Sequence, residues 1–370
     1  MRFPQQYTGL LKACALAMGC LSAMASMAAE EPVLNIYNWN DYIGKDTLAR
    51  FQKETGIKVK YDVYDSNETL QAKLLTGKSG YDIVVPSYEF AGKQIQLGVH
   101  RKLDKSKLSN YGNLDPSILQ KLTLADPGNQ VLVPYMWGTT ALALNEDKVK
   151  KALGGDLPTD MWRLVFDPTY TSKLKACGIS FLDLPSDVYA MQNLYLGKSA
   201  NDFSKASLEA NTQALIKVRK DIRMFNSSPI DLLANGDVCV ALAFSGDALI
   251  ARNRAVEAKT GQNIRYVIPS KGTVMWVDNL AIPKDAKHPD NAHKFINFIL
   301  RPDVVASITN EINYANPNLK ATALVDTKIA RDPAVYIPAG LMKMLVPEKI
   351  IPADEQRNLT QSFIKFKTAR

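Results

Sequence analysis

Three histidines in 370 residues, His100, His288 and His293, form no recognisable acid–base or zinc-ligand arrangement. The GxxxxGK loop that cradles phosphate, the GxSxG nucleophile elbow and the HExxH zinc helix are all missing, which removes the common templates for nucleotide hydrolysis, acyl transfer and metalloprotease chemistry. Paired carboxylates are the one hydrolytic device left. No catalytic residue, metal site or cofactor is expected. Basic residues outnumber acidic ones, 45 to 37, but they are scattered among acids rather than gathered in a stripe, so nucleic acid is a poor partner. Beyond the N-terminus no run reads as membrane-spanning. Hydrophobic content of 46% and charged content of 22% argue against dominant disorder.

The N-terminus stands apart. Arg2 and Lys12 precede an apolar run from Ala13 to Ala29 that ends in small residues before Glu30-Glu31-Pro32. This is the pattern of a secretory signal with cleavage after Ala28 or Ala29, so residues 1–29 are expected to be removed and the mature chain to be soluble outside the cytoplasm. A membrane anchor fits less well, because the run is short and contains Ser22 and Ser26. Cys20, after Gly19, raises lipid attachment, although Ala17 and Met18 suit that signal poorly. Cleavage takes two of the 45 basic residues and none of the 37 acidic ones, so the formal charge falls from +8 to +6. It leaves Cys177 and Cys239. In an oxidising compartment such a pair reads as one disulfide, with two buried thiols as the alternative. Closing that loop would contribute roughly 4 kcal/mol.

The length implies two domains. From residue 33 onward strand and helix alternate: Val33 to Trp39 a strand, Asp46 to Glu54 a capped helix, Ile57 to Val63 a strand with Ile57, Val59, Tyr61 and Val63 inward, Ser66 to Leu75 a helix, Tyr81 to Val85 a strand. This βαβαβ order implies a parallel sheet covered on both faces, with ligands outside the carboxyl ends of its strands. A helix from Phe90 to Leu97 follows. Val131 to Asn145 reads as extended, with a hinge or bend at Gly138. A second α/β unit contains strands at Cys177 to Leu182 and Val238 to Phe244 and helices at Ser186 to Leu196, Ser207 to Val218 and Asp247 to Lys259. Strands at Ile264 to Ile268 and Val274 to Ile282 come next, then a helix from His293 to Leu300 stopped by Arg301-Pro302. The tail ends in an amphipathic helix from Asp354 to Lys365.

Acids and aromatics recur together at the strand ends. Trp39, Asp41 and Tyr42, beside Asn40, follow the first strand; Asp187 follows Pro185; Phe244 and Asp247 flank Gly246; Trp276 and Asp278 share a strand; Tyr314 alone has no carboxylate within three residues. Each residue taken singly is better explained as core, cap or turn. The repeated mixture suits an alkylammonium ligand: ring faces receive its methylenes, π-electrons attract its charged ends by roughly 0.5–2 kcal/mol per contact, and carboxylates make desolvation of the ammonium tolerable.

Six segments carry a resemblance: Leu34 to Ile43 (LNIYNWNDYI), Phe51 to Val59 (FQKETGIKV), Tyr81 to Ser87 (YDIVVPS), Val133 to Trp137 (VPYMW), Leu233 to Ala241 (LANGDVCVA) and Leu300 to Ala306 (LRPDVVA). In order and with few gaps they resemble the periplasmic spermidine/putrescine-binding proteins of polyamine ABC importers, over essentially the whole mature chain. The resemblance implies an α/β, two-lobed class II solute-binding fold with a hinge and a central ligand cleft. Its lobes would run 30–137 with a return at 279–320, and 138–278, with a C-terminal segment 321–370 on the second lobe. It implies an aromatic cage of Trp39, Tyr42, Phe244, Trp276 and Tyr314, carboxylates at Asp41, Asp187, Asp247 and Asp278, and Ser87 orienting a terminal amine. The family's disulfide falls on Cys177 and Cys239. Phe244 stands where members usually carry Trp; Trp276 is what spermidine binders tend to have; Leu184 lacks a carboxylate that some of them place there. Glu89 and Glu348 replace uncharged residues near the cleft and would suit a third amine or a guanidinium, the alternative being that they point to solvent as most glutamates do.

The resulting expectation is a monomeric periplasmic protein that captures spermidine, putrescine or a related amine and delivers it to an inner-membrane ABC permease. A sensor feeding a membrane receptor and an exported carboxylate-dependent hydrolase are the rivals.

Overall fold

Two sheets carry the fold of residues 30–369, the part of the chain that the computed structural model describes. The expected signal peptide, its expected cleavage point and Cys20 lie outside the described residues.

The first sheet is parallel, in the order β2 (Lys58–Tyr64), β1 (Val33–Trp39), β3 (Ile83–Val84). Helices Thr47–Thr55 and Asn67–Leu75 make the crossovers. Ser66 Oγ accepts the Thr69 amide (3.2 Å) to start the second helix, and Gly56 ends the first with φ +73°, a left-handed conformation that glycine adopts without penalty. Alternation in β1 sends Leu34 and Ile36 inward. In β2 the expected inward phase fails at its end: Val63 is 46% exposed and Tyr64 is buried instead, because β2 is an edge strand and the Tyr64 hydroxyl donates to the Val85 carbonyl. β3 is two residues rather than five. The Asp82 carboxylate takes the place of ladder bonds there, accepting the amides of Asn35, Lys287 and His288.

The second sheet has the order β10 (Leu345–Pro347), β9 (Thr273–Leu280), β4 (Val133–Asn145), β7 (Val240–Phe244), β5 (Ile179–Phe181), β6 (Met224–Phe225), with β8 (Ile264–Val267) also beside β4. All 13 residues of β4 are buried. It pairs antiparallel with β9 through its first half and with β7 through its second. Gly138 lies in this unbroken strand, so it makes no bend. A Cβ there would stand 2.6 Å from the Trp276 ring and 2.9 Å from Ser245 Oγ, and the glycine allows that close approach.

The end of β9 joins the two sheets. Asp278 bridges Ser87 and Ala281 bridges Val84, both antiparallel. One core surrounds Leu34, Ile36, Phe51 and Phe295; another surrounds Trp162, Phe166, Phe181 and Leu242. A disulfide links Cys177 to Cys239, 62 residues apart, where β5 and β7 begin.

Two expectations need correction. Arg301-Pro302 does not only stop a helix: Pro302 opens another, Pro302–Ile312, at the first-turn position where a missing amide costs nothing. The segment 321–370 does not pack as one piece. Ala321 and Val325 join the core around Leu34, whereas Leu359, Phe363 and Phe366 of helix Ala353–Thr368 pack into the core around Trp162.

Candidate ligand-binding site

Three helices begin where a strand or extended segment ends, and each carries an acid in its first turn. Glu89 lies in Tyr88–Gln96, Asp187 in Pro185–Tyr195 and Asp247 in Ser245–Glu257. The first starts at Tyr88 rather than Phe90, because Ser87 already takes the extended N-cap conformation. The partial positive charge of a helix start favours a carboxylate by about 0.3–1 kcal/mol, which helps hold these acids inside the protein.

Asp278 on β9 is the hub. It is 6% exposed, its Oδ2 accepts the Tyr42 hydroxyl (2.8 Å) and its Oδ1 accepts the Ser87 hydroxyl (2.6 Å). Burial pushes its carboxyl up to about 7; Glu89 adds to the shift and the two hydroxyl donors oppose it. Asp247 is raised to about 6, again by burial, against a bond from the Tyr314 hydroxyl to its Oδ1 (2.8 Å). Tyr314, without a carboxylate nearby in sequence, therefore obtains one through space. Gly246 makes room for it: a Cβ there would sit 2.4 Å from the ring.

The aromatics form a connected wall. Phe244 meets Trp276 edge-on at 5.9 Å between ring centroids, Trp276 meets Tyr314 at 5.2 Å, and Tyr314 meets Tyr42 at 5.6 Å. Tyr135 extends the row. It packs against Tyr42 at 5.6 Å and donates its hydroxyl to the Tyr42 carbonyl (2.7 Å). Sequence reasoning missed Tyr135 as a support, although it lies inside the quoted VPYMW segment. Trp39 belongs to a different layer: its Nε1 donates to the Val85 carbonyl (2.9 Å) and its ring packs on Tyr64. Asn40 and Asp41 are exposed on the turn, Asp41 with φ +51°. No hydrogen bond ties them to the buried acids.

A second acidic group completes the interior. Glu89, Asp187 and Glu348 line one narrow cavity. Burial raises all three carboxyls; Glu89 and Asp187 push Glu348 up further, whereas hydrogen bonding with Glu348 opposes the rise at Glu89 and Asp187. Lys349, on the same cavity, is turned to Glu355 (2.6 Å). Among the described residues no Lys or Arg forms an ion pair with any of the five acids, and no group of three or more His, Cys, Asp or Glu is placed to hold a metal ion. Buried carboxylates backed by aromatic faces and lacking a cation can do one thing well: bind an organic cation.

Comparison with known proteins agrees with this geometry. Residues 46–337 match the family of bacterial extracellular solute-binding proteins. The chain belongs to this family. As a solute-binding protein it is not an enzyme, and its fold is the two-lobed class II α/β fold. It is 47% identical to the putrescine-binding periplasmic protein SpuD of Pseudomonas aeruginosa, over 95% of this chain and 96% of that one. It is 46% identical to the putrescine-binding periplasmic protein PotF of Escherichia coli, over 96% and 97%. A solved structure of the spermidine/putrescine ABC transporter substrate-binding protein PotD of Streptococcus pneumoniae superposes with a TM-score of 0.78 at 30% identity, covering 91% of this chain and 99% of that one. These relatives give no support to the sensor or hydrolase readings.

Proposed function

We propose that this solute-binding protein works in the periplasm as a monomer, captures a polyamine and hands it to the permease of an ABC importer. The observation that carries the reading is the set of five interior carboxylates, two of them bonded to tyrosine hydroxyls of the aromatic wall, with no cationic side chain among the described residues paired to them. The names of its relatives support the ligand class and the compartment, and no helix among the described residues is long and apolar enough to cross a membrane. In this reading Asp278 and Asp247 receive ammonium groups, and Trp276, Tyr314, Tyr42 and Phe244 receive methylenes. Trp39, Asn40 and Asp41 form the rim of the cleft on the first lobe.

The two long strands β4 and β9 would carry the chain between lobes 30–137 with 279–320 and 138–278. Ligand selects the closed arrangement because only there do acids from both lobes reach it. The test is thermal unfolding with and without spermidine or putrescine. A ligand at a hundredfold excess over its dissociation constant stabilises by about 2.7 kcal/mol, so the melting temperature rises by a readily measured amount. No rise with either amine refutes the proposal.

A further inference from the structure

The second sheet has another end. β7 starts at Val240 and finishes at Phe244 in the aromatic wall, and β5 runs parallel to it, so the Cys177–Cys239 disulfide marks the opposite edge of the sheet. Along β7 that edge is roughly 16 Å from Phe244. Lys148, Lys151, Lys173, Arg223, Asp237 and the Cys177 side of the disulfide line an open groove of about 640 Å³ there, a volume in the range of small-molecule sites.

Four cations meet one acid in this lining, and they come from three separate parts of the chain. Lys148 and Lys151 stand three residues apart on helix Glu146–Leu153 and share a face, Lys173 is in the last turn of helix Pro168–Leu174, and Arg223 directly precedes β6. A helix dipole favours a lysine in the last turn whatever the side chain faces, which accounts for Lys151 and Lys173 taken singly. It does not account for Arg223, or for the convergence.

Neutral groups hold two of the four in place. Lys148 Nζ donates to the Gly236 carbonyl (2.8 Å), and Arg223 donates from Nη2 to the Ala176 carbonyl (2.9 Å) and from Nη1 to the backbone carbonyl of Asp237. Carbonyls fix a cation without cancelling its charge. Two glycines allow the approach: a Cβ on Gly178 would stand 2.6 Å from Arg223 Nη1, and one on Gly236 would meet Lys148 Nζ. Among the described residues no carboxylate forms an ion pair with any of the four, whereas Lys150 on the same helix pairs with Glu146 (2.9 Å). An ammonium has three N–H donors and a guanidinium five, so both pinned heads keep donors to offer.

We propose that this groove binds a small anion carrying two or more phosphate groups, with Lys148 and Arg223 as prepositioned donors and the exposed Lys151 and Lys173 adding charge. A diphosphate group matches several converging cations better than a single carboxylate does, and donors already held in position lose little freedom on binding. A membrane surface fits less well, because the apolar part of the lining is only Ala152, Ala176 and Cys177, with no aromatic or large aliphatic side chain to enter a lipid layer. The groove shares no residue with the acidic and aromatic site, so the proposal stands apart from the polyamine reading.

The test is calorimetric titration of the purified protein, free of amines, with inorganic diphosphate and tripolyphosphate. The salt is held at about 0.15 M, where exposed charges more than roughly 8 Å apart are screened. Lys151→Gln, Lys173→Gln and the double variant are compared with Lys150→Gln, which removes the same charge from the helix face outside the groove; melting curves check that each variant folds. The expected result is saturable binding at one site, weakened about threefold by each groove variant, at least tenfold by the double variant and less than twofold by Lys150→Gln. Equal weakening by Lys150→Gln and Lys151→Gln overturns the proposal, because net charge alone would then explain the binding. No saturable binding of either anion at millimolar concentration also overturns it. So does flotation with phosphatidylglycerol vesicles by a protein that does not bind diphosphate, which would assign the cations to a membrane surface.

Discussion

Asp278→Asn is expected to stabilise the ligand-free chain at pH 8 and to weaken polyamine binding. In the folded state the carboxyl is shut between β9, the Tyr42 turn and the start of helix Tyr88–Gln96, with Tyr42 and Ser87 as donors and Glu89 as the neighbouring acid. Its titration point moves from 3.8 to about 7, which makes the anion less stable by roughly 4 kcal/mol, an order-of-magnitude figure. The folded chain binds this proton more tightly than the unfolded chain does. The stabilising contribution is therefore complete below about pH 4 and is lost as the pH rises to about 7. Asparagine keeps the shape and removes the charge, and the two hydroxyls can rotate so that one donates to the amide oxygen and the other accepts from the amide nitrogen. Without ligand, the variant should melt above wild type at pH 8, and the gap should close toward pH 4.5. Calorimetry at pH 8 should show affinity for spermidine and putrescine falling roughly thirtyfold or more, since losing one partner of a buried charge pair costs about 2–5 kcal/mol. A variant that melts below wild type at pH 8 would refute the reasoning that burial strains this carboxylate. Unchanged affinity would remove Asp278 from the site.

Trp276→Ala should weaken amine binding by about tenfold or more with the fold retained, because the ring lies between Phe244 and Tyr314 in the aromatic wall; equal affinity in calorimetry would contradict this. Gly246→Ala should force the Tyr314 ring aside, break its bond to Asp247 and lower stability by about 1–3 kcal/mol in urea titration, with affinity falling in parallel. Replacing Cys177 and Cys239 together by alanine should cost roughly 2–4 kcal/mol in the same assay. Asp82→Ala should cost about 3–5 kcal/mol without touching the cleft. Its carboxylate accepts three backbone amides and lies 3.0 Å from His288 Nδ1, and the melting temperature, not the affinity of the remaining folded protein, should register the loss.

The legible parts of this molecule are those that obey a local period. The β1, Thr47–Thr55, β2, Asn67–Leu75 series could be read because alternation, caps and closing glycines all act within a few residues. The strand-end rule picks out Asp187 and Asp247, which stand in the first turns of their helices, whereas Asp278 lies inside β9. Legibility stops where a side chain's role depends on a distant element. Gly138 reads as a bend from sequence, and only the register of β4 on β9 reveals that it accommodates the Trp276 ring. Pro302 reads as a stop, although proline serves equally well to begin a helix. Glu89 and Glu348 are the sharpest case. Nothing in the local pattern distinguishes them from solvent-facing glutamates, and their meeting with Asp187 requires that β10 pair with β9. A site made from helix starts is thus partly legible, because the acid in each first turn is a local signal. Which acids share one cavity is decided by strand order, and strand order is the step that brings three carboxylates from separate segments together.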